Sequence, residues 1–368
     1  MTPLSASQPF KGIYILLVLV KTPVYLTLLS LRYASRSLRP VPEWSFKTSL
    51  ATAWFRAFFS FATATRSQRP RQLEPGKSKE RFVLMQPPDA DYFCGVLAAT
   101  SIIRPAPVGA IWHPSAVQKG ESGRQKIVLQ FAGGAFVLGW DPEQAGQGVA
   151  ETLTRHFQAT HTLYVQCRLA GAATHFPAAL QDALTAYHYV LSLGVRADDI
   201  ILSGDSSGGN LVLGLLRYLE MSQTQLPLPG GAMLWSPWVH VPRNAKQDYT
   251  TSPNSDVDIL VGSLLEWGAN AYMPEGDLPR DVQAFISPLH HPFSTTTPLF
   301  IQAGTREAFY DKIKLFAREM ADVKGNRVRF HESQLAPHDI FLTHSVLGLT
   351  QQAEADVSDA CTFLEDAI

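Results

Sequence analysis

From Arg81 onward the chain alternates short, almost wholly apolar runs with longer stretches of helical period, and few folds admit that alternation. RFVLMQP, PVGAIWHP, KIVLQF, HTLYVQC, DIILSG, GAMLWSP, PLFIQAG and RVRFHE read as strands. The segment that opens with Asp141 and Pro142 reads as a helix with an N-cap and a proline at its first position. Phe176, Ala179, Leu180, Ala183, Tyr187, Val190 and Leu191 recur at helical spacing. The stretch from Ser207 to Met221, apolar nearly all round at its start, predicts a buried helix, and another is expected from about Tyr310 to Lys324. Strands apolar on both faces must be covered on both. The expected architecture is therefore an α/β fold with a mostly parallel central sheet between helices. In such sheets ligands bind at the carboxyl ends of the strands.

Charge divides the chain in two. Residues 1–81 carry 13 Lys/Arg against 3 Asp/Glu, whereas the remainder carries 18 against 29. We expect a hydrophobic, basic segment over 1–81 that associates with a membrane or forms part of a cap, and a catalytic domain over 82–368. The run from Gly12 to Leu31 has 14 apolar residues in 20, about a bilayer's length. Lys21 and Pro23 interrupt it; a central Lys costs ~2.5–3.5 kcal/mol and each aliphatic residue returns roughly 0.3–0.6 kcal/mol, so insertion is marginal. The other reading is a helix packed over the catalytic domain, and the two are compatible. From Arg36 to Arg81 basic residues mix with aromatic ones, and following a hydrophobic run this suits a headgroup surface better than nucleic acid. Lys11 precedes the run, whereas Arg32, Arg36 and Arg39 follow it, which places the catalytic domain on the cytosolic face, as at the endoplasmic reticulum. Three isolated cysteines and the absence of Asn-x-Ser/Thr acceptors agree with a reducing compartment.

The most informative local feature is LSGDSSGGN, residues 202–210, between an expected strand and an expected helix. Gly204-Asp205-Ser206-Ser207-Gly208 fits G-x-S-x-G. A nucleophile on so tight a turn needs glycine two residues before and after it, and only Ser206 has both. FAGGAFVLG, 131–139, follows the central strand, and its small residues let backbone N–H groups approach a carbonyl oxygen. Of 11 histidines, His338 stands in a loop just past the last strand; His331 lies within that strand and His344 in the following helix, where structural roles are expected. Glu307 and Asp311 both follow PLFIQAG, and either would orient an imidazole.

From about Ala110 to Phe341 the chain resembles the hormone-sensitive-lipase-like family of α/β-hydrolase serine esterases. The family's His-Gly-Gly-Gly motif is similar to Ala132-Gly133-Gly134-Ala135, followed by Phe136. Its Tyr-Arg-Leu-Ala-Pro…Phe-Pro-Ala-Ala…Asp-Ala segment is matched by Arg168-Leu169-Ala170, Phe176-Pro177-Ala178-Ala179 and Asp182-Ala183. Its Gly-Asp-Ser-Ala-Gly-Gly-Asn elbow matches Gly204 to Asn210, with Ser207 where alanine is usual, and Ile286 to Leu289 also agree. The N-terminal part resembles membrane-anchored fungal members associated with secondary metabolism.

The resemblance implies an α/β-hydrolase fold with a cap and a Ser206–His338–Glu307 triad, Asp311 matching a second acidic position. It also implies oxyanion donors at Gly134, Ala135 and Ser207, with Gly133 shaping the turn. Ala132 departs from the pattern: the family's histidine holds the loop through its side chain. The expected reaction is hydrolysis of a carboxylic ester of a hydrophobic small molecule, with no cofactor, no metal and no nucleic-acid partner. The alternatives are acyl transfer or lactone formation on a natural product, or a non-catalytic ligand receptor. Trp235, Trp238, Trp267 and Phe285 are candidates to line an apolar pocket, with packing as the competing role. Oligomeric state is not legible.

Overall fold

The computed structural model describes residues 3–117, 125–221 and 226–367. Its core is one eight-stranded sheet in the order β1-β2-β4-β3-β5-β6-β7-β8. The strands are β1 (Phe82–Met85), β2 (Val108–His113), β3 (Ile127–Phe131), β4 (His161–Gln166), β5 (Ile200–Asp205), β6 (Gly231–Trp235), β7 (Leu299–Gly304) and β8 (Val328–Ser333). Every one of the eight apolar runs forms a strand. Pairing from β4 across to β8 is parallel. β1 pairs with β2, and β2 with β4, antiparallel. The physical reason is the connections: no helical run separates β1 from β2, so no crossover returns the chain parallel.

The helices are α1 (Phe10–Tyr33), α2 (Phe46–Thr65), α3 (Pro142–His156), α4 (Ala178–Ser192), α5 (Ser207–Met221), α6 (Ala245–Thr250), α7 (Gly262–Tyr272), α8 (Arg280–Ile286), α9 (Tyr310–Ala321), α10 (Ile340–Leu347) and α11 (Thr350–Ala367). Val149 and Leu153 of α3 share one core with Val357 and Leu364 of α11. Leu180 and Leu184 of α4, Leu215 of α5 and Phe316 of α9 fill another. Asp141 caps α3 as expected, its carboxylate accepting the N–H groups of Glu143 and Gln144. α9 ends at Ala321, one turn before the expected Lys324.

The N-terminal helices form a hairpin whose second helix packs against α7 and α10. Ser5 Oγ donates to Ala64 O at 2.7 Å, Tyr14 stacks with Phe61 at 6.2 Å, and Leu29 and Tyr33 cluster with Ala53, so α1 runs antiparallel along α2. α2 is fastened to the body. The Trp44 indole, just ahead of it, donates to Leu335 O at 2.6 Å, and Thr48 Oγ1 donates to Leu347 O at 3.0 Å. In the basic stretch after it, three arginines have partners on the body. Arg69 pairs with Asp141, Arg81 with Glu143, and Arg66 lies 4.5 Å over the Trp267 ring. These cations face the acidic body, where carboxylates are the nearest counter-charges.

Candidate active site

β5 delivers the nucleophile elbow. Ser206, 6% exposed, stands between β5 and α5 with a φ of 52°, in the left-handed region that a residue other than glycine adopts only under constraint. Its N–H donates to Trp235 O at 2.8 Å, and its carbonyl accepts the Trp238 N–H at 2.9 Å, so the end of β6 and the loop after it hold the turn. The flanking glycines are steric necessities. A Cβ on Gly204 would fall 2.5 Å from the Gly208 carbonyl, and one on Gly208 would fall 1.9 Å from Phe131 O.

The loop after β3 wraps over this elbow. Gly134, Ala135 and Phe136 all have positive φ, at 129°, 51° and 63°. Gly133 N–H donates to Asp205 Oδ2 at 2.7 Å, which fixes the start of the loop. Phe136 N–H donates to Ser207 Oγ at 3.1 Å, which fixes its end. Among the described residues, the N–H groups of Gly134, Ala135 and Ser207 donate to no protein acceptor. Trp140 closes the loop by donating its indole N–H to Gly133 O at 3.0 Å.

The loops after β7 and β8 bring Glu307 and His338 together. Glu307 Oε2 lies 2.8 Å from His338 Nδ1, and the two side chains are 0% and 3% exposed. Burial pushes the Glu307 carboxyl up to about 8, despite the Ser236 hydroxyl and the Gly304 N–H at its oxygens. The same burial holds His338 below its ordinary value, against the nearby carboxyls of Asp258 and Asp205. Among the described residues, His338 Nε2 is buried and has no hydrogen-bond partner. Asp311 sits in the first turn of α9, outside the pair. His331 lies 2.9 Å from both Asp356 and Asp359, and His344 lies 3.2 Å from Thr350, structural partners for both.

The aromatic candidates divide by position. Trp238 stacks with Phe136 at 5.7 Å and with Phe309 at 5.9 Å, and Phe309 meets His338 edge-on, so Trp238 belongs to the wall of the site. Trp235 points to the other face of the sheet, stacked on Phe341. Phe285 is buried near Phe176, and Trp267 lies under Arg66.

A model of a family described as the alpha/beta hydrolase fold matches residues 128–342. The chain belongs to the α/β-hydrolase family. An esterase of Acinetobacter venetianus is 24% identical over 316 residues, covering 85% of this chain and 98% of that protein. An acetyl-hydrolase of Streptomyces hygroscopicus is 34% identical over 158 residues, covering 43% of this chain and 50% of that protein. Among solved structures, an esterase from the bacterial hormone-sensitive lipase family superposes with a TM-score of 0.62 at 20% identity, covering 88% of this chain and 99% of that one. A Pyrobaculum calidifontis esterase gives 0.61 at 19% identity, covering 94% and 98%.

Residues that no sequence motif marks hold the pair of loops after β7 and β8. Asp258, fully buried between α6 and α7, accepts the His338 N–H at 2.9 Å and the Ile259 N–H at 2.7 Å on Oδ1, and the Ala308 N–H at 2.8 Å on Oδ2. Asn254 donates its amide to Thr305 O and Glu307 O, at 3.2 and 3.1 Å. Arg56 of α2 reaches the same segment, its Nη1 donating to the carbonyls of Ser255, Asp258 and Leu260 at 2.9, 2.7 and 3.1 Å. The segment 254–260 thus grips both the acid loop and the base loop. Beneath the elbow, burial raises Asp205 to about 6 against the hydrogen bonds of Gly133 and Asp339, and burial together with the Asp205 charge raises Asp339. That is the signature of two carboxyls holding one proton.

Proposed function

We propose that this carboxylic ester hydrolase works through a Ser206–His338–Glu307 triad on the ester of a hydrophobic small molecule. Ser206 Oγ attacks the acyl carbon while His338 Nε2 takes its proton, and the alcohol leaves with that proton. Water then attacks the acyl-enzyme by the same route, releasing the acid and restoring Ser206. Glu307 fixes the imidazole with Nε2 free to accept, and the N–H groups of Gly134, Ala135 and Ser207 receive the oxyanion. The observation that carries the reading is the buried 2.8 Å contact between Glu307 and His338 at the same sheet edge as a strained Ser206. The aromatic wall of Phe136, Trp238 and Phe309 supports an apolar substrate, as a step in secondary metabolism would supply.

The N-terminal helix supports membrane association, with the catalytic domain on the cytosolic side, as at the endoplasmic reticulum. The window of α1 that could cross a bilayer has a mean hydropathy of 1.9 and no buried residue.

The test is covalent labelling by a fluorophosphonate, followed by hydrolysis of p-nitrophenyl esters of increasing acyl length. Labelling lost in Ser206→Ala, with turnover favouring longer acyl groups, is the expected result. An unlabelled, inactive wild-type protein would point to the receptor reading. Transfer of the acyl group to an added alcohol in preference to water would point to acyl transfer.

A further inference from the structure

We infer that the α1–α2 hairpin docks in the plane of a single anionic leaflet, with α1 lying in the membrane surface instead of crossing it. The inference rests on the membrane association proposed above and fixes its geometry. Two observations on α1 carry it. Its inner side is occupied: Tyr14 stacks on Phe61, and Leu29 and Tyr33 cluster with Ala53 of α2. Its outer side is bare and apolar: Leu16, Leu17, Val20, Val24, Leu28 and Leu31 are 58% to 73% exposed. Even the polar residues there are turned inward chemically. Thr27 and Ser30 donate their hydroxyls to Pro23 O and Leu26 O, at 2.9 and 2.8 Å.

A spanning α1 would have to leave α2. It would break the contacts of Ser5 with Ala64 and of Tyr14 with Phe61, and strand Lys21 at mid-membrane. α2 cannot follow it, because Arg56, Thr48 and the neighbouring Trp44 tie that helix to the catalytic body. Lying flat, α1 buries its outer face at headgroup depth, and Lys21 reaches the lipid phosphates along its own methylene stem. The charge pattern selects the lipid. Residues 1–42 contain five Lys/Arg and no Asp or Glu, so the docking face meets anionic headgroups without repulsion.

The experiment has two arms. In the first, purified full-length protein is floated with vesicles of phosphatidylcholine alone or with phosphatidylserine. The wild type is expected to float with the anionic vesicles and much less with the neutral ones. Leu17→Glu/Val20→Glu should stay at the bottom while hydrolysing soluble p-nitrophenyl acetate normally, because both side chains point away from α2. In the second, sealed microsomes carry the protein with an epitope tag ahead of Met1 and another after Ile368, and protease is added outside. In-plane docking exposes both tags to digestion without detergent. One tag protected until detergent is added means that α1 spans, and overturns the inference while leaving membrane association standing. A wild type that floats with no vesicle and leaves microsomes in plain buffer overturns the membrane reading itself. A lipid-independent dimer abolished by Leu17→Glu/Val20→Glu would assign the face to a second copy of the chain, also against the inference.

Discussion

Ser206 and Ser207 are adjacent, equally small and nearly equally buried, yet the roles we propose for them are unrelated. Ser206→Ala is expected to lower ester hydrolysis by about 10⁴- to 10⁶-fold, read as kcat/KM. From sequence alone Ser207→Ala looks mild, since its backbone donor survives. The structure adds a cost: Ser207 Oγ is the acceptor for the Phe136 N–H. Orphaning that buried donor costs about 1–3 kcal/mol, so a fall of roughly tenfold or more in kcat is expected. Ser207 stands where the resembling family carries alanine, and Ala132 where it carries the loop-holding histidine. Ala132→His should therefore relieve the Ser207→Ala defect, measured as a double-mutant cycle; additive effects would count against the compensation. At Glu307 the comparison is with Asp311: Glu307→Gln should abolish most turnover, and Asp311→Asn should leave it. The pH profile follows from the same pair. Burial pushes Glu307 up to about 8 and His338 down, so on falling pH the extra proton goes first to the Glu307 side. A protonated Glu307 donates to Nδ1 and forces the imidazole proton onto Nε2, which then cannot accept from Ser206. Activity followed by pH-stat titration should rise through neutrality and level off above about 8. A flat profile down to pH 5.5 would contradict this.

At the level of elements, each strand and the buried helix α5 were legible because period and apolarity are local properties. The segment 254–260 was not. It has no period and no motif, and Asp258 reads as one acidic residue among many until folding sets three backbone N–H groups around it. Asp258→Asn puts an amide N–H against donors that need an acceptor. We expect kcat to drop roughly 10- to 100-fold with KM little changed, since the carboxylate positions His338 and Glu307 without lining the pocket. Arg56→Met removes the donor to three carbonyls of the same segment and should lower kcat in the same direction. Because both act on one segment, the double variant should cost less than the sum of the two. Full additivity would mean that α2 supports the fold but not the triad.

At the scale of the whole molecule, the sheet collects groups from positions 133 to 338 along one edge, because parallel strands place all their following loops at the same end. The sequence by itself determined the strands and the tight glycine-flanked turn between β5 and α5 that carries Ser206, and it supplied the chain order of the nucleophile, acid and base that we propose. Each of these is written in residues close along the chain or in strand order. Only the tertiary structure decided the rest. It paired two arginines of the basic linker with the body, Arg69 with Asp141 and Arg81 with Glu143, whereas composition pointed them at a headgroup surface. It sorted Trp238 into the site and Trp235 into the opposite core. It laid α1 along α2, so that a helix of bilayer length has one side already taken. The physical reason is common to all three. A side chain's partner tens of residues to about a hundred residues away depends on which surfaces folding brings face to face, and that is a property of packing that no local pattern encodes.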